Sequence, residues 1–299
     1  MSLDLVIATY NRPESLSRTL KSIEAIERPH AYPFRVIIAD NSTQEDTKNF
    51  LKNFLQQTSL KIFYFQETTK GKVYALNHAL TYSDADLIAF TDDDITFDSH
   101  WLKQVIENFT DSNLHCLTGK VEGICPAEKP LWYSARLRVV IGAIEPSQQR
   151  GSTLYAAGSN MIFRRQVLKE VEGFILRDQM GHQHEDSVLS QRIRARGYAI
   201  IYDPSVAVYH HFQTEHFNKK YFRRWYLNSG KALAELNQKE EPHDKKIFDI
   251  PRWWFRWAIS HAFQMIFFFY RPDQKFFHEL QLYRFTGFCQ QRWKRAHKK

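Results

Sequence analysis

Short apolar runs alternate with longer amphipathic stretches along the N-terminal part of the chain. The apolar runs predict strands at Leu3–Ala8, Phe34–Ala39, Leu60–Phe65 and Leu87–Phe90. The stretches between them have helical periodicity, at Glu14–Ile26, Gln44–Gln56 and Val73–Tyr82. Continuous apolar runs are typical of strands covered on both faces. The alternation therefore predicts an α/β fold, in which helices flank a mixed, mainly parallel sheet.

Beyond the fourth strand the pattern changes twice. Between about Cys116 and Tyr155 it becomes irregular, and we interpret this segment as an insertion near a site. Regular order resumes with Gly158–Phe163, a helix from about Arg165, a helix ending at Arg196, and strands at Ala199–Tyr202 and Ser205–Tyr209. After His211 the chain is helical, basic and aromatic. We predict a first domain over residues 1–212 and a helical extension over residues 213–299.

Composition narrows the function only slightly. The 41 lysines and arginines exceed the 33 acids, and the resulting charge of +8 fits polyphosphate ligands, an anionic membrane or nucleic acid. Three cysteines without metal-ligand spacing predict neither a disulfide framework nor a structural zinc site. The N-terminus begins with a strand and lacks the pattern of a signal peptide. We therefore expect a cytoplasmic protein.

The C-terminal extension contains an aromatic run from Trp253 to Tyr270. Polar residues interrupt it, at Arg256, His261 and Gln264, whereas a spanning helix needs ~20 mostly apolar residues. We expect this segment to lie on the cytoplasmic face of a membrane. The alternative is packing against the first domain or oligomerisation with a partner subunit. Nearby cations would attract anionic lipid, at Lys219, Lys220, Arg223, Arg224, Arg292, Lys294, Arg295, Lys298 and Lys299.

Three carboxylates, Asp92, Asp93 and Asp94, directly follow the fourth predicted strand. Open α/β sheets bind ligands at the carboxyl ends of their strands. Crowded negative charge there favours Mg²⁺ or Mn²⁺, which takes oxygen ligands from carboxylates and from a diphosphate. The alternative is a solvated acidic turn that caps the next helix at about Ser99.

Two further groups of polar residues have the same ambiguity. Glu185 and Asp186 precede an amphipathic helix, where a carboxylate can cap the helix, act as a general base, or do both. Residues 8–12 and 39–42 follow the first and second strands and should face one crevice, where Asp40 would accept a hydrogen bond from a ribose or a base. Ordinary turn chemistry is the alternative. The glycine fingerprint of dinucleotide folds is absent, which disfavours a nicotinamide enzyme.

Together, these segments resemble family 2 glycosyltransferases of the GT-A fold, a Rossmann-like architecture. The resemblance covers roughly residues 3–212 and rests on six segments in order: Ala8-Thr9-Tyr10-Asn11-Arg12, Asp40-Asn41-Ser42, the Lys70–Asn77 stretch, Asp92-Asp93-Asp94, Gly158-Ser159-Asn160-Met161 and Glu185-Asp186. It implies a metal-dependent, inverting hexosyl- or N-acetylhexosaminyl-transferase. The implied donor is a nucleotide-diphosphate sugar, by family habit a UDP-sugar, and the implied acceptor is a glycan or a lipid-linked hydroxyl.

The resemblance also implies roles for particular residues. The implied base is Asp186 or Glu185, and the implied metal contacts are Asp94, Asp92 and His210. Asp92 would also face the nucleoside. The implied nucleotide-sugar contacts are Thr9, Tyr10, Asn11, Arg12, Asp40, Asn41, Lys70, Gly71, Lys72, Asn77, Asp92, Asp93, Ser159 and Asn160.

Departures and rival functions refine this prediction. The Gln-x-x-Arg-Trp helix of processive synthases is missing, because Tyr221–Trp225 has no glutamine in place, and this favours transfer of a single sugar. A nucleotidyltransferase is one alternative, but its glycine-rich, lysine-ended N-terminal loop is absent. A non-catalytic basic module for membrane or nucleic acid is another, but it leaves the acidic segments unexplained. We therefore expect no nucleic-acid partner.

Overall fold

The strands predicted from the apolar runs are present in the computed structural model, which describes residues 1–29, 32–125, 128–175, 184–236 and 245–297. The described residues belong to two compact units. The first is drawn from Met1–Ile124, Gly142–Leu176 and Glu185–His211. The second is drawn from Cys125–Ile141, Arg177–His184 and Phe212–Lys299. Part of the irregular segment, Cys125–Ile141, thus groups with the C-terminal helices.

The first unit is built on one mixed sheet. Its strands are β1 (Leu3–Thr9), β2 (Phe34–Asp40), β3 (Ile62–Gln66), β4 (Leu87–Asp92), β5 (Ile95–Phe97), β6 (Cys116–Ile124), β7 (Gly151–Thr153), β8 (Met161–Arg164) and β9 (Ile200–His211). Its helices are α1 (Pro13–Glu24), α2 (Asp46–Phe54), α3 (Lys72–Thr81), α4 (Trp101–Asn108), α5 (Arg165–Glu170) and α6 (Glu185–Ala195). The strand order is β3-β2-β1-β4-β8-β6-β9-β5, and β7 pairs with β9. The predicted α/β class is confirmed.

Register brings the ends of three parallel strands together. β1 lies between β2 and β4 and is parallel to both. Thr9 is opposite Asp40, and Ala8 is opposite Asp92. Alternate side chains of β1 enter two separate cores, with Leu5 in one and Val6 in the other, which explains the unbroken apolar run. Burial on both faces fixes these strand ends at one edge of the sheet.

The irregular segment contains β6, which the sequence pattern did not predict. β6 pairs in parallel with β9, which is one long strand and not the two that were predicted. The register skips from Asp203 to Ala207 while β6 advances only from Gly119 to Lys120. A Cβ on Gly119 would lie 1.7 Å from the carbonyl oxygen of Val206, so this bulge requires glycine. The apolar pattern of the sequence is interrupted where this bulge lies.

The second unit is mainly helical. It contains 3₁₀ turns at Ala135–Ile141 and Thr214–His216, helices α7 (Lys219–Leu236), α8 (Arg252–Phe267) and α9 (Pro272–Ala296), and the two-residue strands β10 (Lys246–Ile247) and β11 (Ile250–Pro251). Helices α7 and α9 cross closely, because a Cβ on Gly230 would lie 1.9 Å from the Arg284 carbonyl oxygen. Among the residues described, no helix has the length and apolar character needed to span a membrane.

Candidate active site

Side chains from β1 and α1 hold the acidic turn that follows β4. The Thr9 hydroxyl donates to Oδ2 of Asp93 at 2.7 Å, and the Thr19 hydroxyl donates to the Asp93 carbonyl oxygen at 2.8 Å. Arg12 Nη1 lies 3.5 Å from Oδ1 of Asp93 and 3.3 Å from Oδ2 of Asp94. Burial, reinforced by the charge of Asp94, raises the pKa of Asp93 to about 6. The turn is therefore fixed in the fold and is not a freely solvated loop.

Asp94 and His210 meet because β5 pairs with β9. Ile95 is opposite His210, and the His211 N–H donates to the Asp94 carbonyl oxygen at 2.9 Å. Nε2 of His210 lies 3.3 Å from Oδ1 of Asp94. Apart from this contact, that buried oxygen accepts no hydrogen bond from any residue that the structure describes. Burial tends to raise the pKa of Asp94, but His210 and nearby cations lower it. Asp94 is thus an ionised carboxylate with unused acceptor capacity.

Strand alternation separates the two adjacent histidines. His211 Nε2 lies 2.8 Å from the Thr96 hydroxyl, a contact away from the carboxylates. Gly142, which has a φ of +75°, packs against the His210 ring, where a Cβ would lie 2.6 Å from Nδ1. The structure therefore places His210, and not His211, beside the acidic turn.

Lys72 links two acidic segments that are far apart in the sequence. It begins α3, immediately after Gly71, whose φ of +137° favours glycine. Its Nζ lies 2.7 Å from Oδ1 of Asp92 and 2.9 Å from Oε1 of Glu185. Burial opposes the charge of Lys72, but the two carboxylates raise its pKa well above the ordinary value. The ammonium ion therefore bridges the end of β4 and the start of α6.

Asp186 lies in the first turn of α6. Its Oδ1 accepts the Ser187 N–H at 2.7 Å, and its Oδ2 accepts the Gly158 N–H at 3.2 Å. Burial and the neighbouring charge of Glu185 raise the pKa of Asp186 to about 6. The hydrogen bonds satisfy backbone donors at a helix start, as capping requires, while the raised pKa suits a base that works near neutrality.

The loops after β1 and β2 are tied to each other. Asp40 is buried, and its carboxylate accepts the Ser42 N–H at 2.9 Å and the Tyr64 hydroxyl at 3.1 Å. Asn11, which has a φ of +51°, donates its N–H to the Ser42 hydroxyl and accepts the Thr43 N–H. Turn chemistry is therefore present at both loops, and it also holds Asp40 at the edge where the strands end.

Three predicted contact residues are amides that brace the backbone. Asn41 donates to the carbonyls of Glu67 and Thr69 and accepts the Gly71 N–H. Asn77 makes both of its hydrogen bonds with the backbone of Phe174. Asn160 accepts the Trp101 indole N–H and donates to the carbonyls of Lys120 and Val206. These amides position loops and strands around the carboxylates.

The other predicted contacts differ in exposure. Tyr10 is 43% exposed and Lys70 is exposed, whereas Ser159 is buried and its carbonyl accepts the Thr91 hydroxyl.

The sequence analysis did not predict two residues that support the site, Thr19 and Gly142. Thr19 gave no signal, because a threonine in a helix is ordinary. A lone glycine within an apolar stretch, such as Gly142, does signal a close approach.

The structure brings only some of the predicted metal ligands close together. No three His, Cys, Asp or Glu side chains within the described ranges are arranged to hold a metal ion by themselves. Asp92 contacts Lys72, whereas Asp94 and His210 lie side by side. A hard divalent ion commonly uses one or two protein ligands and completes its shell with phosphate oxygens. The pair formed by Asp94 and His210 fits such a site.

Comparison with known proteins places the chain in a family. The family model described as Glycosyl transferase family 2 matches residues 4–172. The succinoglycan biosynthesis protein ExoM of Rhizobium meliloti is 29% identical over 132 residues, which cover 44% of this chain and 42% of ExoM. The alignment thus spans less than half of that relative. The glucosyl-dolichyl phosphate glucuronosyltransferase of Haloferax volcanii is 22% identical over 262 residues, which cover 83% of this chain and 82% of the relative.

A solved structure shows the same fold over most of its length. The mannosyltransferase PcManGT from Pyrobaculum calidifontis, in complex with GDP-Man and Mn²⁺, is similar with a TM-score of 0.68 and 17% identity. The similarity covers 98% of this chain and 87% of PcManGT. The fold predicted from the resemblance is therefore confirmed.

Proposed function

Because the chain belongs to glycosyltransferase family 2, we propose that it transfers one hexosyl or N-acetylhexosaminyl unit from a nucleotide-diphosphate sugar to a hydroxyl group of a glycan or lipid-linked acceptor. One observation carries this proposal. Lys72 contacts Asp92 and Glu185 at the carboxyl edge of the sheet, and its charge also lowers the pKa of Asp94 and opposes the rise in the pKa of Asp186. Opposed charges could there meet a diphosphate and an attacking hydroxyl.

The donor would bind across the ends of β1, β2 and β4. The loops held by Asn11 and Asp40 would receive the nucleoside, and Arg12 and Lys72 would contact the diphosphate. Asn41, Asn77 and Asn160 would act on the donor indirectly, since their hydrogen bonds keep these loops and strands in place. A UDP-sugar follows from the family resemblance, and the GDP-Man of PcManGT makes a GDP-sugar the natural competitor.

Asp94 and His210 would hold one Mg²⁺ or Mn²⁺, because Oδ1 of Asp94 lies beside an imidazole nitrogen and contacts no other donor among the described residues. Such an ion, when bound, offsets negative charge on the leaving diphosphate. Arg12 and Lys72 supply further positive charge from the chain itself. Asp92, which Lys72 holds at 2.7 Å, remains a proposed contact of the donor.

A carboxylate at the start of α6 would accept the proton of the acceptor hydroxyl. Asp186 takes the proton of the acceptor hydroxyl as that oxygen attacks the anomeric carbon and the bond to the diphosphate breaks. Attack opposite the leaving group inverts the anomeric centre. With a pKa of about 6, Asp186 is ionised at neutral pH and remains basic enough to accept the proton. Glu185, which is held by Lys72, is the alternative base.

A panel of UDP- and GDP-sugars tests the proposal directly. We expect release of the free nucleotide diphosphate from one donor in Mn²⁺ or Mg²⁺, and much less release in EDTA. The Asp94→Ala variant measures the background. No release across the panel, with or without candidate glycan acceptors, would contradict the proposal and favour a non-catalytic basic module.

We further propose that the extension over residues 213–299 attaches the first domain, residues 1–212, to the cytoplasmic face of a membrane. The aromatic and basic composition of the extension supports this proposal.

A further inference from the structure

Helix α8 uses one face to build the core of the second unit. Trp254 and Ala258 are buried, and the Trp254 ring stacks on Phe288 of α9 with ring centroids 4.6 Å apart. Phe255 meets Phe285 edge to face at 5.5 Å. Packing against α9 therefore accounts for this half of the aromatic run.

The opposite face of α8 is apolar and exposed. Ile259, Phe263, Ile266 and Phe267 are 56%, 70%, 67% and 67% exposed. Their spacing of i, i+4, i+7 and i+8 places them on one stripe of the helix, which we call the α8 stripe. Isolated exposed apolar residues are common, but four contiguous large ones mark a surface that is covered in use.

Exposed cations bracket the α8 stripe. Arg252 and Arg256 lie on the same face towards the start of the helix, and Arg271 and Lys275 follow its end. Helix α8 itself contains no acidic residue. Three other cations expected to meet lipid instead form ion pairs within the unit: Arg223 Nε lies 2.6 Å from Glu279, Arg292 Nη1 lies 3.4 Å from Asp249, and Arg295 Nη2 lies 2.6 Å from Glu235.

We propose, resting on the membrane attachment proposed above, that the α8 stripe inserts into the interface of an anionic bilayer, with Arg252, Arg256, Arg271 and Lys275 on the lipid phosphates. Charge selects this occupant. In a symmetric dimer through the same stripe, the cationic ends of two copies would face each other and repel, whereas anionic lipid supplies the countercharge. The helix is about 24 Å long and lies in the interface plane without crossing the bilayer.

Flotation of the full chain with vesicles tests this surface without requiring turnover, so it can fail independently of the proposed sugar transfer. The wild type should float with vesicles of phosphatidylcholine and phosphatidylglycerol, and less with phosphatidylcholine alone. Combining Phe263→Gln, Ile266→Gln and Phe267→Gln should lower the partition coefficient by on the order of tenfold or more, because three large apolar side chains no longer leave water. These side chains are exposed, so circular dichroism should show an unchanged fold.

A matched control removes exposed apolar side chains elsewhere in the same unit. Leu131→Gln and Phe248→Gln alter residues that are 86% and 79% exposed, and this variant should float like the wild type. Arg252→Gln combined with Arg256→Gln should weaken binding to the anionic vesicles only. Equal flotation of the wild type and the triple stripe variant would overturn the proposal. So would a wild type that never floats at low salt but dimerises through the stripe in sedimentation experiments.

Discussion

Buried acidic side chains have different surroundings at the carboxyl edge of the sheet and in the helical unit. At the edge, Asp93 and Asp186 both have a pKa raised to about 6, and Oδ1 of Asp94 has no neighbouring donor among the described residues other than His210. In the helical unit, buried Glu235 accepts from Arg295 at 2.6 Å and from Gln291 at 2.5 Å. The ionised form is therefore disfavoured for two buried acids of the edge, whereas Glu235 of the helical unit has close partners for both carboxylate oxygens.

This difference predicts which substitutions affect ligand binding and which affect the stability of the fold. Burial and like charge disfavour the ionised form of Asp93 and Asp186, and a bound divalent cation, as proposed above, would offset negative charge at this edge. Charges that are paired between helices α7 and α9 already have their partners and can only stabilise the fold. We therefore expect substitutions at the edge to lower activity much more than stability, and substitutions of the paired charges in the helices to lower stability more than activity.

The largest expected effect is that of Asp94→Ala. Metal-dependent turnover should fall by at least ~10³-fold, because the carboxylate proposed to anchor the ion is lost. The free energy of unfolding should fall much less than activity does, although the contacts of Asp94 with Arg12 and His210 are lost. Calorimetry should show weaker binding of the nucleotide diphosphate in Mn²⁺ but unchanged binding in EDTA. The exposed acid Asp84, replaced by alanine, is the control. Equal diphosphate affinity of Asp94→Ala and wild type with metal would refute the assignment.

Asp186→Asn should also lower activity, but it should leave donor binding unchanged. Transfer should fall by ~10²–10⁴-fold while donor affinity stays near that of the wild type, because a general base acts on the acceptor. In the wild type, kcat/KM should rise with pH through the pKa of about 6, as Asp186 loses its proton. The variant should lack this rise. If Asp186→Asn is active and Glu185→Gln is inactive, the base is Glu185; if both are active, the mechanism is wrong.

The smallest effect on activity is expected for Glu235→Ala, in the helical unit. Loss of the pairs with Arg295 and Gln291 should lower the free energy of unfolding by about 1–3 kcal/mol, because buried donors lose their acceptor. Turnover per folded molecule should remain that of the wild type. Urea unfolding of this variant beside Glu215→Ala, an exposed acid of the same unit, measures the difference. A loss of kcat without a loss of stability would break the comparison between the two regions.

The sequence alone located the strands and helices of residues 1–92 to within about two residues, because apolar periodicity is a local signal and these strands are largely buried. It also placed Thr9, Asp40 and Asp92 at strand ends, which the observed register brings to one edge. Strand β6 escaped prediction, since prolines and glycines beside a bulge interrupt the periodicity on which the prediction depends.

Only the tertiary structure decided which side chains meet. Sequence order gave no sign that Lys72 would bridge Asp92 and Glu185, or that Asn41 would brace a loop, because such contacts depend on strand register and helix orientation. The same holds for α8. A helix that is aromatic around much of its circumference contains no local signal for its inner side, so packing on α9 alone decided that Trp254 is buried and that Phe263 remains exposed.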